Sequence, residues 1–129
     1  MIKVAVDAMG GDYAPAEIVK GAVEAAREKT QIQVILVGQE DIVKKELEKQ
    51  DYPRDRVSVV HASEVIETEE PPVNAIRKKK DSSIVVGMNM VKKQEADAFV
   101  SAGSSGAILV GGQVIVGRIK GVERPPLAP

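Results

Sequence analysis

The chain has 129 residues, with 18 Lys and Arg against 19 Asp and Glu and a single His, for a formal charge of −1. That length fits one domain or one piece of a larger one, and near-neutrality excludes a nucleic-acid binder that works by neutralising phosphates in bulk. With no Cys and only 2% aromatic residues, a disulfide scaffold, a thiolate metal site, a cysteine nucleophile and a base-stacking platform are excluded as well.

Short β-branched runs alternate with longer helical periods along the chain. Ile2 to Val6 reads as a buried strand and Ala8 to Ala14 as a loop. Pro15 suits a first helical position, where its missing N–H would be unpaired anyway. Ile18, Val19, Ala22, Val23 and Ala26 then follow at helical spacing. Ile32 to Val37 is a second strand, ended by Gly38. Gln39 to Gln50 reads as a solvated helix, with Glu40–Lys44 and Asp41–Lys45 in the favourable order. Pro53 precedes a third strand, Arg56 to His61, and residues 62–70 form an acidic, aperiodic loop. Pro71-Pro72 opens a short helix through Lys80. Asp81, Ser82 or Ser83 caps the next helix, whose apolar face carries Ile84, Val85, Met88 and Val91. Ala98 to Ser101 is a fourth strand, Gly103 to Gly106 a tight turn, and Ala107 to Val116 an apolar helix before a loop-like tail. Four strand–helix alternations predict parallel βαβ units: an α/β fold, a three-layer αβα sandwich with a mainly parallel sheet, in a single domain over 1–129. No stretch reads as a signal peptide or bilayer span, so a cytoplasmic location is expected.

Ligands of such sheets bind at the carboxyl ends of strands. Two glycine-rich segments fall there: Asp7-Ala8-Met9-Gly10-Gly11-Asp12 and Ser101-Ala102-Gly103-Ser104-Ser105-Gly106-Ala107. Glycines let backbone approach a ligand closely, and free N–H groups at a helix start attract anions. The second segment is either a phosphate or acyl-group site or a plain strand-to-helix turn. Neither is a nucleotide fingerprint. Gly10-Gly11 opens no G-x-G-x-x-G, and Gly112 stands where a P-loop requires Lys. Asp7 and Asp12 could hold a metal or act as acid and base. Both would repel phosphate, which favours a role in orienting donors, and Asp12 equally suits helix capping. Arg77-Lys78-Lys79-Lys80 is the strongest basic cluster. It is either a solvated helix face or a clamp for phosphate or an acidic partner. Arg118, Lys120 and Arg124 form a looser group, and His61 suits a structural role at a strand end.

The opening Val4-Ala5-Val6-Asp7-Ala8-Met9-Gly10-Gly11-Asp12-Tyr13-Ala14-Pro15 resembles the signature of the bacterial phosphate acyltransferase (PlsX) family. The likeness continues through His61 to Ile66, Arg77 to Ser83, Ala96 to Gly103 and Val116 to Pro125, and so covers essentially the whole chain. It implies a fold similar to phosphotransacetylases and isopropylmalate dehydrogenases. It also implies formation of acyl phosphate from acyl-[acyl-carrier protein] and inorganic phosphate; no metal or organic cofactor follows from these residues. The resemblance further implies a homodimer, peripheral contact with the membrane, and a membrane glycerol-3-phosphate acyltransferase downstream; no nucleic acid is implied. Family chains are more than twice as long, so this one looks like the N-terminal portion.

Carried onto this sequence, the resemblance makes Asp7, Asp12 and Ser105 the positioning or oxyanion candidates. Gly10, Gly11, Ser101, Gly103, Ser104, Ser105, Gly106, Arg118 and Arg124 become substrate-binding candidates. Arg77, Lys78, Lys79 and Lys80 become the carrier-protein or phosphate docking patch. Ser104-Ser105 departs from the family's common Asn-Thr; Ser105 keeps the hydroxyl and Ser104 loses an amide. Two other readings compete. One is a non-catalytic fragment that binds phosphate or carrier protein, the other a phosphotransacetylase-like enzyme using coenzyme A.

Overall fold

The computed structural model describes residues 1–117. Four strands, β1 (Ile2–Asp7), β2 (Ile32–Gly38), β3 (Val57–His61) and β4 (Ala98–Val100), form one sheet in the order β3-β2-β1-β4. Every pairing is parallel, with Ile2 opposite Ile32, Val34 opposite Val57 and Val4 opposite Ala98. The connecting helices are α1 (Ala16–Glu28), α2 (Glu40–Glu48), α3 (Pro72–Lys78), α4 (Ser83–Lys92) and α5 (Ser105–Gly111). A π turn, Gly112–Val116, extends α5.

The two faces of the sheet account for the three layers. Side chains alternate across a strand, so β2 sends Val34 and Leu36 one way and Ile35 and Val37 the other. Val34 and Leu36 join Val19, Val23 and Ala26 of α1 and Val43 and Leu47 of α2 in one core. Ile35 and Val37 join Ala5 of β1 and Met90 of α4 on the opposite face. A third cluster packs Ile76 of α3, Ile84 and Met88 of α4 and Ala107 of α5 together. Each fully buried Val, Leu or Ile contributes roughly 1.5–3 kcal/mol against exposure, which is why the helical faces read so clearly in the sequence. The Arg56 guanidinium ties the end of α1 to the sheet by donating to the carbonyls of Ala26 and Lys29 at 2.5 and 3.2 Å.

Several boundaries differ from the periodicity reading. Pro15 is the residue before α1 rather than its first residue. Ile2 and Lys3 are exposed, because β1 begins beyond the helical cover and burial sets in at Ala5. Glu40 and Lys44 form the expected ion pair at 2.5 Å, and among the described residues Asp41 and Lys45 do not pair. Of the three capping candidates it is Ser82 that accepts the Val85 N–H, at 3.2 Å. The last apolar helix starts two residues early, at Ser105, and widens to π geometry after Gly111. The tail beyond Gly117, with Arg118 and Arg124, lies outside the described residues.

Candidate functional site

Adjacent parallel strands carry their carboxyl ends to one edge of the sheet, and β1 and β4 are neighbours. The two glycine-rich segments therefore leave the sheet side by side, as expected for a carboxyl-end ligand site. Asp7, the last residue of β1, is 1% exposed. Its Oδ1 accepts the Met9 N–H at 3.0 Å, and its Oδ2 accepts the Ser101 hydroxyl at 2.7 Å. The Ser101 oxygen in turn accepts the Gly103 N–H at 3.0 Å. The loops touch directly. A Cβ placed on Gly10 would lie 2.5 Å from Asp7 Oδ2 and 2.8 Å from the Gly103 nitrogen. Gly11 has φ +103° and faces Ala102; that left-handed backbone is one only glycine adopts without strain.

The other loop candidates also have defined places. Ser101 and the Gly103 N–H are committed to the Asp7 network. Ser104 is buried and caps α5, its Oγ accepting the Ala107 N–H at 3.2 Å. Serine is among the strongest capping residues. Ser105 and Gly106 occupy the first turn of α5, and Ser105 is exposed. The N–H groups of Gly10, Gly11, Ser105 and Gly106 have no acceptor among the described residues. Asp12 is exposed and caps nothing, since α1 has no side-chain cap.

The basic run does not present four equivalent cations. Arg77, Lys78 and Lys80 are exposed. Lys79 turns inward instead: its Nζ donates to the Val65 carbonyl at 2.7 Å and pairs with Glu70. That ammonium holds the Glu70 carboxyl below the usual carboxylate range. α3 also reaches the second glycine loop, because Pro72 packs against Gly106.

A polar seam gathers at the end of β3 around Ser63 and Asp81. Asp81 Oδ2 accepts both the Ser63 hydroxyl and the Ser63 N–H, at 2.6 and 3.0 Å, which hold its carboxyl below the usual range. Glu64 Oε1 accepts the Asp81 N–H at 3.2 Å, and Gln39 donates to the Ser63 carbonyl at 3.1 Å. His61 Nδ1 accepts the Glu40 N–H at 3.1 Å at the start of α2, the structural role its position suggested. Ser63 and Asp81 both lie in segments that carry the family resemblance; no periodicity would have paired them. Among the described residues no group of three or more acidic or His side chains is placed to hold a metal ion, and no helix is long and apolar enough to cross a membrane.

Fold and loops together define a parallel α/β protein with paired backbone-donor loops at the carboxyl ends of its two neighbouring strands. The comparisons narrow this class. A family model described as "Fatty acid synthesis protein" matches residues 2–129, and the chain belongs to that family. It is 53% identical over 128 residues to "Phosphate acyltransferase" of Alkaliphilus oremlandii (strain OhILAs), covering 99% of this chain and 38% of that protein. It is 54% identical over 126 residues to the protein of the same name from Syntrophomonas wolfei subsp. wolfei (strain DSM 2245B / Goettingen), covering 98% and 39%. The chain thus spans about two-fifths of the length of the curated relatives it matches.

Proposed function

We propose that the chain supplies the phosphate-handling loops of a phosphate acyltransferase that converts acyl-[acyl-carrier protein] and inorganic phosphate to acyl phosphate. A phosphate oxygen attacks the thioester carbonyl carbon and forms the new C–O bond, the C–S bond breaks, and the carrier leaves as a thiol with the proton that phosphate gives up. Phosphate is itself the nucleophile, so the step needs no acyl-enzyme. What it needs is placement of phosphate beside the carbonyl and donors for the developing oxyanion. The N–H groups of Gly10, Gly11, Ser105 and Gly106, which have no acceptor among the described residues and lie on two loops that touch at Gly10 and Gly103, are the observation that carries this reading. Ser105 adds an exposed hydroxyl.

Arg77, Lys78 and Lys80 are the docking cations for an acidic carrier protein, with Lys79 as their structural anchor. The whole enzyme is a cytoplasmic homodimer that meets the membrane peripherally and delivers acyl phosphate to a glycerol-3-phosphate acyltransferase there. The test is thiol release from acyl-[acyl-carrier protein] with and without phosphate, followed with a thiol reagent; a chain without Cys adds no background. Phosphate-dependent release supports the reading. Turnover of acyl-coenzyme A but not the carrier-bound substrate replaces it with a coenzyme A enzyme. No release from folded chain makes these residues a binding half.

A further inference from the structure

We propose that Asp7 and Ser101 form a positioning couple that sets the two glycine loops against each other, and that neither touches substrate. The inference rests on the reading that these loops receive phosphate. A serine hydroxyl has one proton to give. Here it goes to the Asp7 carboxylate at 2.7 Å, while the same oxygen accepts the Gly103 N–H at 3.0 Å. Ser101 therefore has no proton left for a substrate oxygen, and the Gly103 amide is spent too. Asp7 ends this chain of bonds as the acceptor. Its other oxygen takes the Met9 N–H, so one side chain holds the first loop with Oδ1 and the second with Oδ2.

The electrostatics argue for the same role. A carboxylate 1% exposed, with its Oδ2 2.5 Å from where a Gly10 Cβ would be, is a poor neighbour for an anion. Charge alone opposes phosphate there. A positioning acid and a merely repulsive acid consequently make opposite predictions. Neutralising a repulsive acid tightens phosphate binding, whereas removing a positioning acid loosens it.

The experiment is a titration of the 129-residue chain with inorganic phosphate, read by amide NMR, for wild type, Asp7→Asn, Ser101→Ala and Ser101→Thr. Thermal melts and Gly103 amide exchange are recorded on the same samples. Wild type is expected to show saturable shifts at residues 10–11 and 105–106. Asp7→Asn and Ser101→Ala weaken the phosphate dissociation constant at least tenfold and speed Gly103 exchange. Ser101→Thr, which keeps the hydroxyl, restores both. If Ser101→Ala does not fold, Asp7→Asn and Ser101→Thr decide. Binding that is unchanged or tighter in Asp7→Asn, or lost in a Ser101→Thr chain that melts like wild type, overturns the couple alone. A wild-type chain whose amides do not respond to phosphate overturns the phosphate reading and the couple with it.

Discussion

Replacing Gly10 with Ala adds one methyl group where the two loops meet, and the structure sets its cost. The new Cβ would sit 2.5 Å from Asp7 Oδ2 and 2.8 Å from the Gly103 nitrogen, where ordinary contact begins at 3.4 Å. The carboxylate would have to retreat by about 0.9 Å and the Gly103 backbone by about 0.6 Å. Both neighbours are held, one by two hydrogen bonds and the other as main chain, so neither yields easily. Overpacking of this kind costs about 1–3 kcal/mol. Loss of the charge-assisted Asp7–Ser101 bond adds about 1.5–3 kcal/mol. The expected destabilisation is about 2.5–6 kcal/mol, or roughly 9–22 °C in melting temperature for a domain of this size. Gly21 provides the control. It lies mid-way along α1 with nothing within 4 Å of its added Cβ, so Gly21→Ala is expected to stabilise by up to about 1 kcal/mol through helix propensity. Circular-dichroism melts and urea titrations of both variants read the comparison. A Gly10→Ala chain that melts with wild type would refute the claim that the loops are locked in contact.

Three further outcomes follow from the same geometry. Ser82→Ala removes a fully buried cap and should cost about 1–2 kcal/mol, while Ser104→Asn, which exchanges one capping residue for another, should cost only a few tenths; urea midpoints at constant slope test both. Charge reversal at Arg77, Lys78 or Lys80 should weaken carrier-protein binding in a salt-dependent way and leave stability within about 0.5 kcal/mol. Lys79→Glu, by contrast, sets a carboxylate against Glu70 and the Val65 carbonyl and should lower the melting temperature, so titration calorimetry at two salt concentrations and a melt separate the two roles. The Asp81 carboxyl is held below its ordinary range by Ser63, so its folded pKa is lower than its unfolded one. Its contribution is complete above the ordinary carboxylate range and is lost as pH falls below about 4. Asp81→Asn should remove that part of the acid sensitivity, and identical pH slopes in urea midpoints from pH 2.5 to 6 would contradict the assignment.

The sheet and its helical cover were legible because both obey short periods. Val19, Val23 and Ala26 repeat at helical spacing, and β2 is apolar on both faces because helices lie on both. Proline and glycine marked most boundaries to within a residue or two. The site was legible as two loops and no further. The bond that joins them links positions 94 apart, and no local pattern encodes which of several serines meets Asp7. Ser101 and Ser105 look alike in the sequence, yet one is consumed internally and the other is exposed. The same limit applies to Lys79, whose inward turn depends on Glu70 and on a carbonyl, and to Ser63, whose partner lies across α3. The widening of α5 into a π turn at Gly111-Gly112 had no signal that periodicity registers.

The placement of β1 between β2 and β4 also governs when the site can exist as the chain folds. β1 meets β2 across a separation of thirty positions, Ile2 to Ile32, but meets β4 only across 94, Val4 to Ala98 and Asp7 to Ser101. Closing the longer loop costs about 1 kcal/mol more in chain entropy, and its reward comes from only three strand residues. Chain entropy thus favours closure of the β1–β2 pairing ahead of the β4 contact. On a chain emerging from the ribosome, β1, β2 and β3 are available long before Ser101 is made. The paired loops therefore form only once β4 has joined β1, so any affinity for phosphate is also a report that β4 is in place.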